Sequence, residues 1–235
     1  VLNSQFFVLT FECEAISQTA QPGQFVNIAC QQFLRRPFGI LSVNPQEGTV
    51  QITLKPGDIL SVLGPLGHGF DFAAWRHVLT VGGGTGVFPL YFVLERCREL
   101  GIRTTAVCGY RSIHDAVLAD EIRATAVYTH LAAEDGKLDW QGDAILALQE
   151  VLADFCQNQP DVILTCGPKA MMQAVAEVAR AAGLPCQVSL EERMGCGIGV
   201  CLGCVCKTRD LPEGTVSHSR CCVEGPVFPA EAVIW

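Results

Sequence analysis

Residues 77–101 read HVLTV-GGGTG-VFPLYFVLERCREL-G, and the order of these pieces decides the fold. His77–Val81 is a continuous apolar run of strand length, Val87–Leu100 carries helical periodicity, and Gly101 supplies the stop. Between them, Gly82, Gly83, Gly84 and Gly86 leave backbone amides exposed at the start of a helix. The helix dipole favours negative charge there, so the loop can hold a pyrophosphate. A turn that only needed left-handed glycines would explain one or two of them, not four of five. The loop is not the GxGxxG fingerprint, because Val87 stands where the last glycine would. No acid follows about 20 residues on to grip a ribose hydroxyl, which disfavours a standard Rossmann dehydrogenase.

The strand–turn–helix rhythm continues outward from this stretch. Thr104–Cys108, Ala126–Leu131 and Asp161–Cys166 read as strands, and Asp143–Cys156 and Lys169–Ala182 as helices, the second closed by Gly183 with Pro185 beyond it. Such alternation predicts a parallel sheet covered by helices over residues 73–188. A second loop, Cys166–Gly167–Pro168 with Met171 behind it, opens a helix on the same carboxyl edge, where ligands of open parallel sheets collect. Taken alone, Gly–Pro is an ordinary helix start and Cys166 a buried filler.

Residues 1–72 show a different pattern: short β-rich runs at Phe6–Phe11, Gln24–Ile28 and Thr49–Leu54, punctuated by Pro22–Gly23, Pro56–Gly57 and Gly64–Pro65. They predict a small antiparallel barrel. Arg35–Arg36–Pro37–Phe38–Gly39–Ile40 is expected to end a barrel strand with an arginine able to fork onto a phosphate, although adjacent arginines are more often simply solvated. Gly64–Phe70 reads as a flexible connection at the seam between the two regions, where two-domain enzymes bind ligands. His68 within it is a lone loop histidine to which no role is given.

From residue 189 the regular pattern yields to glycines and cysteines, with a short closing strand expected at Ala232–Trp235. Six of the chain's 13 cysteines fall between Cys196 and Cys222, which is a metal-site pattern rather than a disulfide framework. Cys196, Cys201 and Cys204 stand at four-residue and then two-residue gaps, with Cys221 and Cys222 further on; this is the plant-type [2Fe–2S] spacing. Spacing alone does not choose between Cys221 and Cys222. Gly195, Gly197, Gly199 and Gly203 are expected to relieve crowding around the sulfurs. Zinc ribbons favour two-residue gaps in both pairs, so zinc is the weaker alternative. Cys206 reads as a bystander, and Cys13, Cys30, Cys97, Cys108, Cys156 and Cys186 as small buried hydrophobes.

A net charge of −8 offers nothing to a phosphate backbone or an anionic membrane, so no nucleic-acid partner is expected. No apolar run is long enough to span a bilayer and no secretory signal opens the chain, so a cytoplasmic location is expected.

Together, the Arg36–Pro37 motif, the GPLGHGF connection at 64–70, the GGGTG loop, the CGPKAM turn at 166–171 and the CGIGVCLGC tail with Glu224–Gly–Pro–Val–Phe228 resemble the electron-transfer subunit of bacterial dihydroorotate dehydrogenase type B, within the ferredoxin reductase superfamily. The resemblance covers nearly the whole chain. It implies an antiparallel FAD-binding barrel at 1–72, an NAD-binding α/β domain at 73–188 and a [2Fe–2S] subdomain at 189–235. By this resemblance Arg36, Pro37, Phe38 and Gly39 contact FAD, and Gly82, Gly83, Gly84, Gly86, Cys166, Gly167, Pro168 and Met171 surround NAD(H). The cluster ligands are Cys196, Cys201, Cys204 and Cys222, the last chosen over Cys221 by its distance from the GPVF run.

The implied chemistry is hydride transfer from NADH to FAD, then single electrons through the cluster to FMN in a separate dihydroorotate dehydrogenase catalytic subunit of pyrimidine biosynthesis, within a heterotetramer. The cofactors carry that chemistry, so no catalytic acid or base is nominated. Small subunits of sulfide dehydrogenases and ferredoxin–NADP reductases would run the same chemistry for another partner, and a redox-sensing module would bind the cofactors without turnover. The sequence departs from the family at Gly39, which replaces a serine or threonine, and after Ile52, where a strand and a Gly–Thr flavin loop are missing. It also starts without a methionine and with a compressed first hairpin. Arg111, after the Thr104–Cys108 strand, could meet a 2′-phosphate or be solvated; the resemblance leans to NADH.

Overall fold

The computed structural model describes residues 7–29, 34–54, 61–136, 138–154, 159–211 and 213–235. By contact they fall into two units, Val1–Phe70 with Ser189–Phe228 and Ala232–Trp235, and Asp71–Val188 with Pro229–Glu231. The cysteine segment therefore groups with the N-terminal β-rich region and does not stand as a unit of its own.

In the first unit, β1 (Phe7–Glu12), β2 (Phe25–Ala29), β3 (Arg36–Asn44), β4 (Thr49–Leu54) and β5 (Ser61–Leu66) form one sheet in the order β1-β4-β3-β2-β5, with a short helix α1 (Glu14–Thr19) after β1. Its characterised pairs are antiparallel. Register shifts at Phe25/Asn27 and Ile40/Ser42 bend it, as bulges do. The sheet is not seen closed into the expected barrel, since β1 and β5 are not neighbours among the described residues. Val26, Ile28, Ile40, Val50 and Ile52 are wholly buried and make the core of this unit.

Two sequence expectations change here. Arg36–Gly39 opens β3 instead of ending a strand: among the described residues it pairs with β2, and β4 takes over from Ile40. Pro37, which has no N–H to donate, sits in that one-sided stretch, and Pro65 likewise lies in the edge strand β5. The 64–70 connection is a packed corner, not a flexible one. The His68 and Phe70 amides donate to the Gly225 and Pro22 carbonyls at 2.6 and 2.8 Å. A Cβ on Gly69 would lie 2.4 Å from the Pro22 carbonyl oxygen.

The second unit alternates as expected: β6 (His77–Gly83), α2 (Val87–Leu100), β7 (Arg103–Tyr110), α3 (Ala119–Thr125), β8 (Tyr128–Ala133), β9 (Trp140–Gln141), α4 (Ala144–Asp154), β10 (Val162–Cys166), α5 (Lys169–Ala181) and β11 (Cys186–Ser189). The strands run in the order β11-β10-β6-β7-β8-β9, and β10 through β9 are parallel. Helices α4 and α5 pack Ala147, Leu148, Val151, Val175 and Ala179 against Leu79, Val81, Val107 and Ile163 of the strands. Gly101 caps α2 in the left-handed conformation, its N–H reaching the Arg98 carbonyl. The expected extension of α4 to Cys156 runs beyond the described residues, as do Cys30 and the Lys55–Asp58 segment.

After the cysteine loop, β12 (Val205–Arg209) and β13 (Val216–Arg220) form a hairpin, and β14 (Val227–Pro229) follows. The closing strand expected at Ala232–Trp235 is absent. Pro229 leads into a 3₁₀ turn at Ala230–Ala232, and the tail clips onto the hairpin through a single bridge, Val233 to Thr208, and the Ile234 N–H to the Lys207 carbonyl at 3.1 Å.

The glycine loop is tighter than its sequence suggests. β6 runs on through Gly83, and only Gly84 of the four glycines has a left-handed φ, +55°. Gly86 is required by close approach: a Cβ there would lie 2.2 Å from the Cys166 carbonyl oxygen, with no side chain to rotate away. Around Gly84 a Cβ would meet nothing within 4 Å. Gly84→Ala is therefore expected to cost about 1 kcal/mol, from φ strain alone, and Gly86→Ala about 3 kcal/mol, from overpacking against backbone. Urea denaturation of the two variants checks this order; equal costs would contradict it.

Candidate cofactor sites

Four strand ends of the second unit converge on one cavity of about 630 Å³. Gly83 and Gly84 come from the end of β6, Gly109 and Tyr110 from β7, Glu134 from just past β8, and Pro168 and Met171 from the loop after β10 and the first turn of α5. All lie at the carboxyl edge of the parallel strands, where such sheets bind ligands. Of the residues expected around the nucleotide, Gly83, Gly84, Pro168 and Met171 line this cavity. Gly82, Gly86, Cys166 and Gly167 are buried behind them. Their part is close packing: a Cβ on Gly83 would reach within 2.6 Å of the Met171 sulfur, and one on Gly167 within 3.0 Å of the Gly83 amide nitrogen.

The cavity also holds acids that the sequence did not flag. Asp115, Glu134 and Asp143 line it together with Arg111. Asp143 is committed to its helix, since its Oδ1 accepts from the Ile145 and Leu146 amides at 2.9 and 3.0 Å. The Glu134 side chain is exposed and has no hydrogen-bond or ionic partner among the described residues. Glu134 follows β8, two strands along the sheet from the glycine loop at the end of β6.

In the first unit, the adjacent arginines divide their labour. Arg35 ties strands together, donating to the Asn27 and Ser61 carbonyls at 3.3 and 2.9 Å and to the Ser61 hydroxyl at 3.2 Å. Arg36 is exposed, with its guanidinium 5.6 Å from the Phe38 ring centroid. Arg36, Pro37 and Gly39 are all exposed at the start of β3, with Phe38 half-buried between them. Among the described residues the Arg36 guanidinium has no hydrogen bond or ion pair, and a cation so placed beside an aromatic ring suits the phosphate and ring system of a flavin nucleotide.

The cysteine loop is organised around sulfur. Cys196 Sγ accepts from the Val200, Ile198 and Cys201 amides at 3.3, 3.4 and 3.4 Å, and Cys201 Sγ from the Gly203 amide at 3.4 Å. The Cys201 and Ile198 amides, in that order, hold the Cys196 thiol down at about 6. Cys196 and Cys201 are side-chain neighbours, and so are Cys204 and Cys222. Burial, then Cys204, pushes the Cys222 thiol up to about 11, while the Gly199 amide opposes that rise. Cys221 turns away: its thiol donates to the Leu190 carbonyl at 3.3 Å, and burial raises it.

Among the described residues no three Cys, His, Asp or Glu side chains form the tight group a single ion needs. Two neighbouring thiol pairs instead suit two irons, each taking two thiolates, and the converging amides suit the charge of the sulfurs. The donor set therefore fits a [2Fe–2S] group. Arg220 braces it, its guanidinium donating to the Gly199 carbonyl at 3.2 Å while paired with Glu224. The glycines divide: a Cβ on Gly195 would crowd the Cys201 sulfur at 3.1 Å and one on Gly203 would meet it at 3.5 Å, as expected, while Gly197 and Gly199 would strike Asn27 and Val223. Cys206 donates to the Ser219 carbonyl within its hairpin, and Cys97 and Cys108 are buried thiols pushed up to about 12 by that burial.

Comparison with known proteins places the chain in a family. Residues 191–234 match the iron-sulfur cluster binding domain of dihydroorotate dehydrogenase B, and residues 80–177 match an oxidoreductase NAD-binding domain. The chain is 33% identical to the electron transfer subunit of dihydroorotate dehydrogenase B (NAD(+)) of Caldanaerobacter subterraneus, over 99% of this chain and 94% of that protein. It is 35% identical to the corresponding subunit of Geobacillus thermodenitrificans, over 97% and 92%. A chain in the structure of an NADH-dependent reduced ferredoxin-NADP oxidoreductase superposes with a TM-score of 0.86 at 27% identity, covering all of this chain and 87% of that one. No helix of the described residues is long and apolar enough to cross a membrane. On this combined ground the chain belongs to the family of dihydroorotate dehydrogenase B electron-transfer subunits.

Proposed function

We propose that this chain oxidises NADH and delivers its electrons, one at a time, to the FMN of a dihydroorotate dehydrogenase catalytic subunit. The observation that carries the proposal is the pair of thiol pairs, Cys196 with Cys201 and Cys204 with Cys222, under converging amides. The bound cofactors supply the conversion of a hydride from NADH, taken up on FAD, into single electrons relayed through a [2Fe–2S] cluster.

The chain's own residues bind and orient these groups. Arg36 and Phe38, flanked by Pro37 and Gly39, are the contacts for FAD, on a five-stranded sheet read here as the flavin-binding barrel of residues 1–72. Flavin contacts from the Lys55–Asp58 segment lie outside the described residues. The α/β region of residues 73–188 takes NAD(H) at its carboxyl edge: Gly83, Gly84, Pro168 and Met171 face the nucleotide, and Gly82, Gly86, Cys166 and Gly167 set the close approach. Cys196, Cys201, Cys204 and Cys222 hold the cluster in the 189–235 region.

A partner surface follows from the same loop. Ile198, Val200 and Leu202 lie between the cysteines proposed as ligands and are 52%, 75% and 62% exposed. Apolar side chains at that exposure around a redox group support docking of the catalytic subunit there, within a heterotetramer. The likeness to a chain of the ferredoxin-NADP oxidoreductase favours a second reading with the same chemistry and a different partner. Identifying the subunit that co-purifies with the chain separates the two.

Cys222→Ser is expected to lose the cluster and Cys221→Ser to keep it, as read by iron and acid-labile sulfide per chain. The reverse pattern would overturn the ligand assignment. Glu134 is expected to disfavour a 2′-phosphate by like-charge repulsion. Glu134→Gln should then lower the NADH-over-NADPH ratio of kcat/KM about tenfold, or about 1.4 kcal/mol; an unchanged ratio would leave Arg111 and the rest of the cavity to set the preference.

A further inference from the structure

Asn27 is out of character with its strand. Its β2 neighbours Val26 and Ile28 are wholly buried apolar residues, and Asn27 itself is 0% exposed. Its Oδ1 has no partner among the described residues. A buried acceptor left unpaired is destabilising, a cost that valine or leucine at this position would avoid. What the amide does make is one long-range bond: Nδ2 donates to the Cys196 carbonyl at 2.9 Å, across 169 residues of sequence.

That contact is tight on both sides. Gly197 holds a φ of +73°, and a Cβ on it would lie 2.4 Å from Asn27 Nδ2. Asn27 is also in register with Pro37 of the flavin motif, and its own carbonyl accepts from Arg35. One buried residue thus joins the strand beside Arg36–Gly39 to the peptide that begins the cluster loop.

We propose that Asn27 is a positioning residue for electron transfer: by holding the Cys196–Gly197 peptide it fixes the N–H to sulfur geometry at Cys196, and with it the potential of the cluster. This rests on the cofactor assignment made under the proposed function. Hydrogen bonds to sulfur favour the more negative, reduced cluster and so raise its potential. Without the Asn27 donor the loop's first peptide is released, the Ile198, Val200 and Cys201 amides draw back from the sulfur, and the potential falls.

The test is an anaerobic redox titration of wild type, Asn27→Leu and Asn27→Ser, following the EPR signal of the reduced cluster and the flavin absorbance in the same sample, with iron and FAD quantified. Leucine is close to isosteric and has no donor; serine is small, polar and too short to reach the Cys196 carbonyl. Both variants should show a cluster midpoint more negative than wild type and altered g-values, with the flavin midpoint unmoved. Loss of iron from the leucine variant with FAD retained would support the same role, and the serine variant gives the answer if leucine prevents folding. A wild-type cluster midpoint and g-values in either iron-loaded variant would overturn the proposal. A wild-type chain that binds no cluster would instead overturn the cofactor assignment, so the two failures are distinct.

Discussion

Sulfur anions gathered in a small volume repel one another and lose water, and the hydrogen bonds from the Ile198, Val200 and Cys201 amides to Cys196 Sγ are the chain's answer to that cost. To aim three amides at one atom the backbone must leave regular structure, which explains the left-handed Gly197 and Gly199 and the unusual positive φ of Leu202. A segment so irregular cannot build a core. It leans on the N-terminal sheet through the Asn27 bond to the Cys196 carbonyl and the His68 N–H to the Gly225 carbonyl. Contact grouping of Ser189–Phe228 with the N-terminal sheet follows from this dependence.

The second unit solves a different problem by the same means, close approach of backbone. Gly86 lets the start of α2 come against the Cys166 carbonyl, and Gly83 lets β6 pass beneath Met171, so the two loops share one cavity. Parallel strands make this possible, because β6, β7, β8 and β10 all deliver their loops to one edge. That cavity lies beside the start of α5 and at the carboxyl edge of the parallel strands, the place where such sheets bind ligands.

Much of this was legible in the sequence. Val87–Leu100 and its Gly101 cap were read to the residue, since periodicity and the glycine stop agree there. The cluster hairpin was not: Val205–Arg209 and Val216–Arg220 are mostly polar and carry no apolar alternation to betray a strand. β5 was hidden by Gly64–Pro65, which reads as a breaker but is tolerated on an edge strand. Glu134 was missed because its distance from the glycine loop reflects how many strands intervene, and Asn27 because one polar residue in an apolar run is informative only when its partner is known. The resemblance points to Arg36, and the neighbouring strand β5 shows why: the Arg35 guanidinium is already engaged with Ser61.

Electrons from NADH are proposed to reach the thiol-held cluster through a flavin. The most direct measurement is an anaerobic NADH titration of the purified chain, with iron and flavin quantified and with visible absorbance and EPR recorded at each addition. Flavin bleaching accompanied by the rise of a reduced [2Fe–2S] signal is the expected result. A colourless, iron-free protein after anaerobic preparation, or a flavin that bleaches while a loaded cluster stays oxidised, would contradict it.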